Sequence, residues 1–193
     1  MSNQTLKFLG SFVRHPRQVG AVVPSSPALA KAMVQGLNVA GDQSVVELGP
    51  GTGAFTRAIL RNLPAHDRYL GIELNGDFVG HLRRRFPGAN FVHGSAEQLH
   101  DHHAEARLGR AAAVLCGLPF ASLPQSVQAN VVDGLDRLLA EGGEFRTFQY
   151  VHAYNLPAAQ SFRRRMDVLF GPGRRSRSVK LNVPPAYVLR WAR

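Results

Sequence analysis

With 193 residues, 45% apolar and 19% charged, the chain has the length and balance of one globular domain, not those of a disordered tail or a collagen-like repeat. It holds no apolar run near the roughly 18 residues of a membrane span and no signal-peptide pattern, and its single cysteine, Cys116, excludes an internal disulfide or a thiolate zinc cage. A net charge of +10 makes the chain strongly basic, so a cytoplasmic protein held together by packing and facing a polyanion is predicted.

Within Thr5–Val19 the residues Leu6, Leu9, Phe12 and Val13 recur at helical spacing, with Lys7, Arg14 and Arg17 supplying positive charge. That pattern predicts a basic amphipathic helix, which either packs its stripe on the domain or lies in the headgroup region of an anionic bilayer. A turn-rich stretch follows, and Ser26 before Pro27 is expected to cap a helix through Met33. Residues 1–40 therefore read as a covering segment and residues 41–193 as the main domain.

Short apolar runs then alternate with helical patterns, the signature of βαβ units around a parallel sheet. Strands are expected over Ser44–Leu48, Tyr69–Glu73, Asn90–His93, Ala113–Cys116 and Glu144–Tyr150, with helices near 53–63, 76–86, 124–140 and 155–169. His100-Asp101-His102-His103 is expected to be a polar loop and not a metal site. Ser178–Val183 and Ala186–Trp191, joined at Pro184-Pro185, are expected to close the sheet as an antiparallel hairpin. The predicted fold is α/β: a Rossmann-like, doubly wound, seven-stranded sheet with an N-terminal helical extension.

Charge is uneven along this order. Residues 1–24 carry three basic side chains and no acid, residues 25–150 carry 11 basic and 12 acidic, and residues 151–193 carry nine basic against Asp167 alone. The two basic ends suit nucleic acid or an anionic membrane surface, with a surface chosen for solubility as the bland alternative.

The motif that carries chemistry is Val45-Val46-Glu47-Leu48-Gly49-Pro50-Gly51-Thr52-Gly53, a strand running into a turn with glycine at three alternate positions. Glycine there permits positive φ and leaves no Cβ between backbone and ligand. The spacing differs from the G-x-G-x-x-G of dinucleotide folds, and the lysine of a phosphate-gripping loop is absent, which argues against NAD and ATP. Glu73 ends the second strand where such folds offer a carboxylate to ribose hydroxyls, and Ser95 with Ala96 follows the third, where an adenine edge can be read.

Together these features resemble the class I S-adenosylmethionine-dependent methyltransferases. The resemblance implies S-adenosyl-L-methionine as cofactor, S-adenosyl-L-homocysteine as product, and a binding set of Glu47, Gly49, Gly51, Thr52, Gly53, Glu73, Leu74, Ser95, Ala96, Cys116 and Gly117. A narrower resemblance rests on Gln18–Ser26, Glu47–Gly53, Cys116-Gly117-Leu118-Pro119-Phe120 and Asn182-Val183-Pro184-Pro185-Ala186, which look like the soluble bacterial phospholipid N-methyltransferases. It implies successive methylation of phosphatidylethanolamine towards phosphatidylcholine, by a protein attached peripherally to the inner face of the cell membrane.

The ribosomal RNA adenine dimethyltransferases resemble the same core. They carry Asn-Leu-Pro-Tyr after strand four, where this chain has Gly117-Leu118-Pro119-Phe120, so the amide that holds the base is missing and nucleic acid is disfavoured as partner. For the acceptor side, His152 is a candidate for taking the amine proton. Phe120, Tyr150 and Tyr154 are candidates for ring faces toward a methylated, cationic nitrogen. An ornithine lipid, a small amine or RNA stays open as acceptor, as does a non-catalytic cofactor-binding protein.

Overall fold

The computed structural model describes residues 25–193; the amphipathic helix expected within Thr5–Val19 lies outside the described residues. Ser26 caps the first helix, α1 (Pro27–Val34), as expected, its hydroxyl accepting the Leu29 N–H at 3.1 Å. Leu29, Ala30, Met33 and Val34 are buried against α2 (Ala54–Leu60), so this part of the expected covering segment packs into the core.

Five parallel strands form the centre: β1 (Ser44–Leu48), β2 (Tyr69–Glu73), β3 (Asn90–His93), β4 (Ala111–Cys116) and β5 (Leu139–Tyr150). Every residue of β1, β2 and β4 is buried, as strands covered on both faces require. Alternation sends Val46 and Val114 to one face, under α4 (Leu99–Glu105), α5 (Gln125–Leu138) and α6 (Pro157–Phe170). Val45 and Ala113 go to the other, under α1, α2 and α3 (Gly76–Arg85).

Two further strands, β6 (Arg174–Arg175) and β7 (Ala186–Ala192), complete a seven-stranded sheet in the order β3-β2-β1-β4-β5-β7-β6, which is the doubly wound arrangement read from the sequence. The direction of winding reverses between β1 and β4, and that switch point opens a crevice at the carboxyl ends of both strands.

The sequence misplaced one arm of the closing hairpin. β7 (Ala186–Ala192) runs antiparallel to β5 in an unbroken register from Tyr150↔Ala186 to Glu144↔Ala192, but its other partner is β6 (Arg174–Arg175) and not Ser178–Val183. The latter stretch makes a single bridge, Val179 to Ala186. Its polar groups are tied elsewhere: Asn182 donates to the Pro184 carbonyl at 2.7 Å, and its Oδ1 accepts the Ser26 N–H at 2.9 Å. Proline at 184 and 185 has no N–H for a ladder.

A second correction concerns His100–His103, which lies on α4 and not in a loop. Helical spacing turns His103 inward, where its ring pairs with the Ser44 hydroxyl at 2.9 Å.

Candidate functional site

The switch point is built from glycines. After Leu48 the chain turns through Gly49, Gly51 and Gly53 at φ +70, +56 and +83, the left-handed region that side chains disfavour. Gly49 is also packed tightly: a Cβ on it would stand 2.4 Å from Leu118 Cδ2, and one on Gly117 would stand 2.8 Å from the Gly49 carbonyl. The turns after β1 and β4 thus touch backbone to backbone. Gly51 differs, since a Cβ there meets nothing within 4 Å.

Glu73 closes the opposite wall. Its carboxylate is 4% exposed and accepts the N–H groups of Gly51 and Asn75, each at 2.9 Å. Burial raises its pKa, and the two backbone donors offset part of that rise. Between this carboxylate and the glycine turn lies a cleft whose apolar wall comes from Ile72, Leu74, Leu118, Leu123 and Val127. Gly94, Ser95 and Ala96 complete it. A narrow apolar slot beside one carboxylate fits a nucleoside, with the base in the slot and the ribose hydroxyls donating to Glu73, and so fits the cofactor expected from the sequence. The Ser95 hydroxyl is engaged locally, accepting the Glu97 N–H at 3.3 Å. Ser95 can therefore offer its backbone to a base more readily than its side chain. The Thr52 carbonyl accepts from Arg85 at 2.8 Å.

Two of the expected binding residues stand behind the cleft. Cys116 is fully buried in the core, with its thiol pushed up to about 12 by burial. Glu47 is 1% exposed and accepts from the Tyr69 hydroxyl at 2.6 Å and the Thr56 hydroxyl at 2.7 Å. It ties α2 to β2 beneath the turn. Its other oxygen has no hydrogen-bond partner among the described residues, which suits a protonated acid, and burial raises its pKa to about 7. From pH 4.5 up to about 7 the folded chain therefore keeps a proton that the unfolded carboxyl has lost. The resulting stability is complete below the unfolded value and disappears as pH rises through the folded one. In urea titrations the difference in unfolding free energy between wild type and Glu47→Gln is expected to change by about 3 kcal/mol between pH 4.5 and 7.5. A pH-independent difference would mean that Glu47 is ionised in the fold.

The carboxyl end of β5 carries the expected acceptor residues, and the structure separates them. Tyr150 and His152 come together there, their rings stacked at 5.6 Å and 9°; burial raises the Tyr150 pKa, keeping the phenol neutral. Phe120 does not join them. Its ring is 1% exposed and packs between Phe145 and Phe162 at 5.5 and 5.1 Å, because the 3-10 turn that begins at Phe120 directs it into the core. Tyr154 also lies apart, with the Arg163 guanidinium over its ring at 3.7 Å.

Beside Tyr150, a second cleft is lined by Pro119, Ala121, Phe148, Gln149, Ala153 and Leu156, among others. Gln149, which sequence reasoning missed, is 7% exposed. Its Oε1 accepts from Arg163 at 2.7 Å, which fixes the amide orientation and leaves Nε2 as a buried donor without a partner among the described residues.

Residues 45–143 match the family profile described as a methyltransferase domain. An ornithine lipid N-methyltransferase from Singulisphaera acidiphila is 33% identical over 141 residues, 72% of this chain and 73% of that protein. A ribosomal RNA small subunit methyltransferase A from Acidithiobacillus ferrooxidans is 30% identical over 112 residues, which cover 58% of this chain but 41% of the relative. Among solved structures, an O-methyltransferase from Bacillus cereus in complex with SAH superimposes with a TM-score of 0.62 at 12% identity, over 100% of this chain and 92% of its own. The N-methyltransferase NodS from Bradyrhizobium japonicum gives 0.58 at 11%, over 93% and 96%. At such identities the structural likeness speaks for the fold.

Proposed function

The chain belongs to the methyltransferase-domain family, and we propose that it methylates the amine of a membrane lipid, converting phosphatidylethanolamine through its mono- and dimethylated forms to phosphatidylcholine. Its cofactor is S-adenosylmethionine, which supplies an electrophilic methyl group on a sulfonium. The observation that carries the lipid reading is the similarity to an ornithine lipid N-methyltransferase over 72% of the chain. Phosphatidylethanolamine and ornithine lipid both offer a primary amine on a short carbon chain beside oxygen acceptors. Support also comes from Gly117. RNA adenine methyltransferases hold the base with asparagine at this point of their motif, and here a Cβ would stand 2.8 Å from the Gly49 carbonyl.

In this reading the amine enters the cleft at the end of β5 while the cofactor lies against the glycine turn. Phe148 and Tyr150 form its aromatic wall, with rings edge to face at 5.5 Å, and a cationic nitrogen is drawn to such faces. His152, exposed at the mouth, takes the proton that a protonated amine must lose before its lone pair can attack. Gln149 Nε2 donates to an oxygen of the headgroup. Orientation and desolvation by these residues supply the catalysis, since the methyl group needs no covalent help from the protein. The soluble enzyme works at the inner face of the membrane, and no described helix is long and apolar enough to cross a bilayer.

With labelled methyl donor, vesicles of phosphatidylethanolamine are expected to yield mono-, di- and trimethylated lipid in sequence, assayed in parallel with ornithine lipid, ribosomal RNA and soluble amines. Gln149→Leu is expected to raise KM for the lipid about five- to tenfold, the worth of one hydrogen bond, without altering cofactor affinity. Label in RNA or a soluble amine but not in either lipid overturns the lipid reading.

A further inference from the structure

Four large aliphatic side chains are exposed on two segments at the carboxyl edge of the sheet, near the acceptor cleft. Leu181 is 81% exposed, Val183 70%, Leu156 54% and Val151 36%. They come from two segments held side by side, since the Val151 N–H donates to the Pro185 carbonyl at 2.9 Å. Both segments lie at the carboxyl edge of the sheet, because β7 begins at Ala186, paired with Tyr150 at the end of β5. Leu156 also lines the acceptor cleft. Together they leave an apolar rim along that edge, where soluble surfaces usually place polar groups.

The charge beside this rim has one sign. Arg177 and Lys180 precede Leu181, and no acidic residue occurs between Asp167 and Arg193. Arg177 and Lys180 are exposed. The rest of this chain is a poor occupant for such a surface: residues 1–24 carry three basic side chains and no acid, and a second copy would bring the same cations. An anionic bilayer complements both properties, offering phosphate oxygens to the cations and acyl chains to the aliphatic tips.

The geometry points to Leu181 and Val183, with Leu156 and Val151 beside them, as a wedge that inserts into an anionic lipid surface and sets the acceptor cleft at the headgroup plane. This rests on the lipid reading and goes beyond it: the sequence offered both basic ends to an anionic surface through charge, whereas the wedge is a set of aliphatic side chains beside the acceptor cleft. A cleft whose rim enters the bilayer can take a headgroup without lifting the lipid into water.

The test uses the full chain and vesicles of phosphatidylglycerol with phosphatidylethanolamine. Leu181→Trp is expected to show a blue-shifted emission on vesicle addition and quenching by brominated acyl chains. The native Trp191 is 2% exposed and should give no such response. Leu181→Asp with Val183→Asp, both in solvent and outside the packing of the fold, is expected to weaken co-sedimentation at least tenfold. Cofactor affinity and methylation of dihexanoyl phosphatidylethanolamine below its micellar concentration should stay unchanged.

Full co-sedimentation of the double variant, or a tryptophan at 181 that stays in water while the protein binds vesicles, overturns the wedge and leaves the lipid reading intact. Wild type that ignores vesicles also overturns it, and methylation of the dispersed lipid then shows whether the lipid reading survives. Sedimentation velocity that reveals a dimer lost in the double variant assigns the rim to self-association instead.

Discussion

Gly51→Val is expected to weaken binding of S-adenosylhomocysteine by more than about 100-fold in calorimetry, equivalent to about 3 kcal/mol. Gly51 sits at φ +56, a conformation that costs an ordinary L-residue roughly 1–2 kcal/mol and a β-branched one more. If the turn relaxes to escape that strain, the Gly51 N–H leaves Glu73 Oε2, now 2.9 Å away, and a carboxylate that is 4% exposed loses one of its two loop donors. If it does not relax, the branched side chain projects into the open space in front of the turn, the place proposed for the cofactor. Either outcome removes the site. Gly142→Val is the control: it has φ +72 and open space around its Cβ but lies within β5, away from the glycine turn. It should share the backbone strain and keep the affinity. Equal affinity in both variants would detach cofactor binding from the glycine turn.

The sheet was legible because its strands write themselves as continuous apolar runs. Val45-Val46 and Ala113-Val114-Leu115 could only be strands buried on both faces, and the glycine turn announced where the crevice opens. Side-chain direction was less legible. Phe120 belongs to a motif that flanks the site, yet a 3-10 turn rotates its ring into the core, and nothing in the residue order encodes that rotation. His100–His103 looked like a loop because four polar residues stood together; their helical spacing buries one of them through a partner, Ser44, that lies 59 residues away in the chain. Gln149 was passed over for the same reason, since its significance comes from Arg163 holding one end of the amide and from the other end having no partner among the described residues. Alternation along β5 gave the face of each residue but not its neighbours across the layer.

The other large effect is expected at Arg146, and it falls on stability. Its side chain is 2% exposed on the face of the sheet under α1, where Nε donates to Glu144 at 2.7 Å. Nη1 donates to the carbonyls of Met33 and Gln35 at 2.8 and 3.0 Å, and Nη2 reaches the Gly36 carbonyl at 3.4 Å. These are last-turn and following carbonyls of α1, groups a helix end leaves without partners and at which a cation is favoured. Burial lowers the guanidinium pKa, and Glu144 works against that shift. The group is thus a buried charge made tolerable by four acceptors at once. Arg146→Ala empties a buried site, leaves the Met33 carbonyl without its donor and the part-buried Glu144 carboxylate without its cation, while the exposed Gln35 and Gly36 can turn to water. Losing one partner of such a pair costs about 3–5 kcal/mol. For a chain of this size that lowers Tm by about 6–20 °C. Arg146→Lys keeps the charge as a single point donor and should fall between the two. Because α1 packs on α2, which follows Gly53 of the glycine turn, the amides of α1 should exchange with solvent faster in Arg146→Ala than in wild type. They should do so while those of β1 and β4 stay protected. A Tm within about 2 °C of wild type would mean that water satisfies the α1 carbonyls, and that the helix beside the glycine turn is held by the packing of Leu29 and Met33 alone.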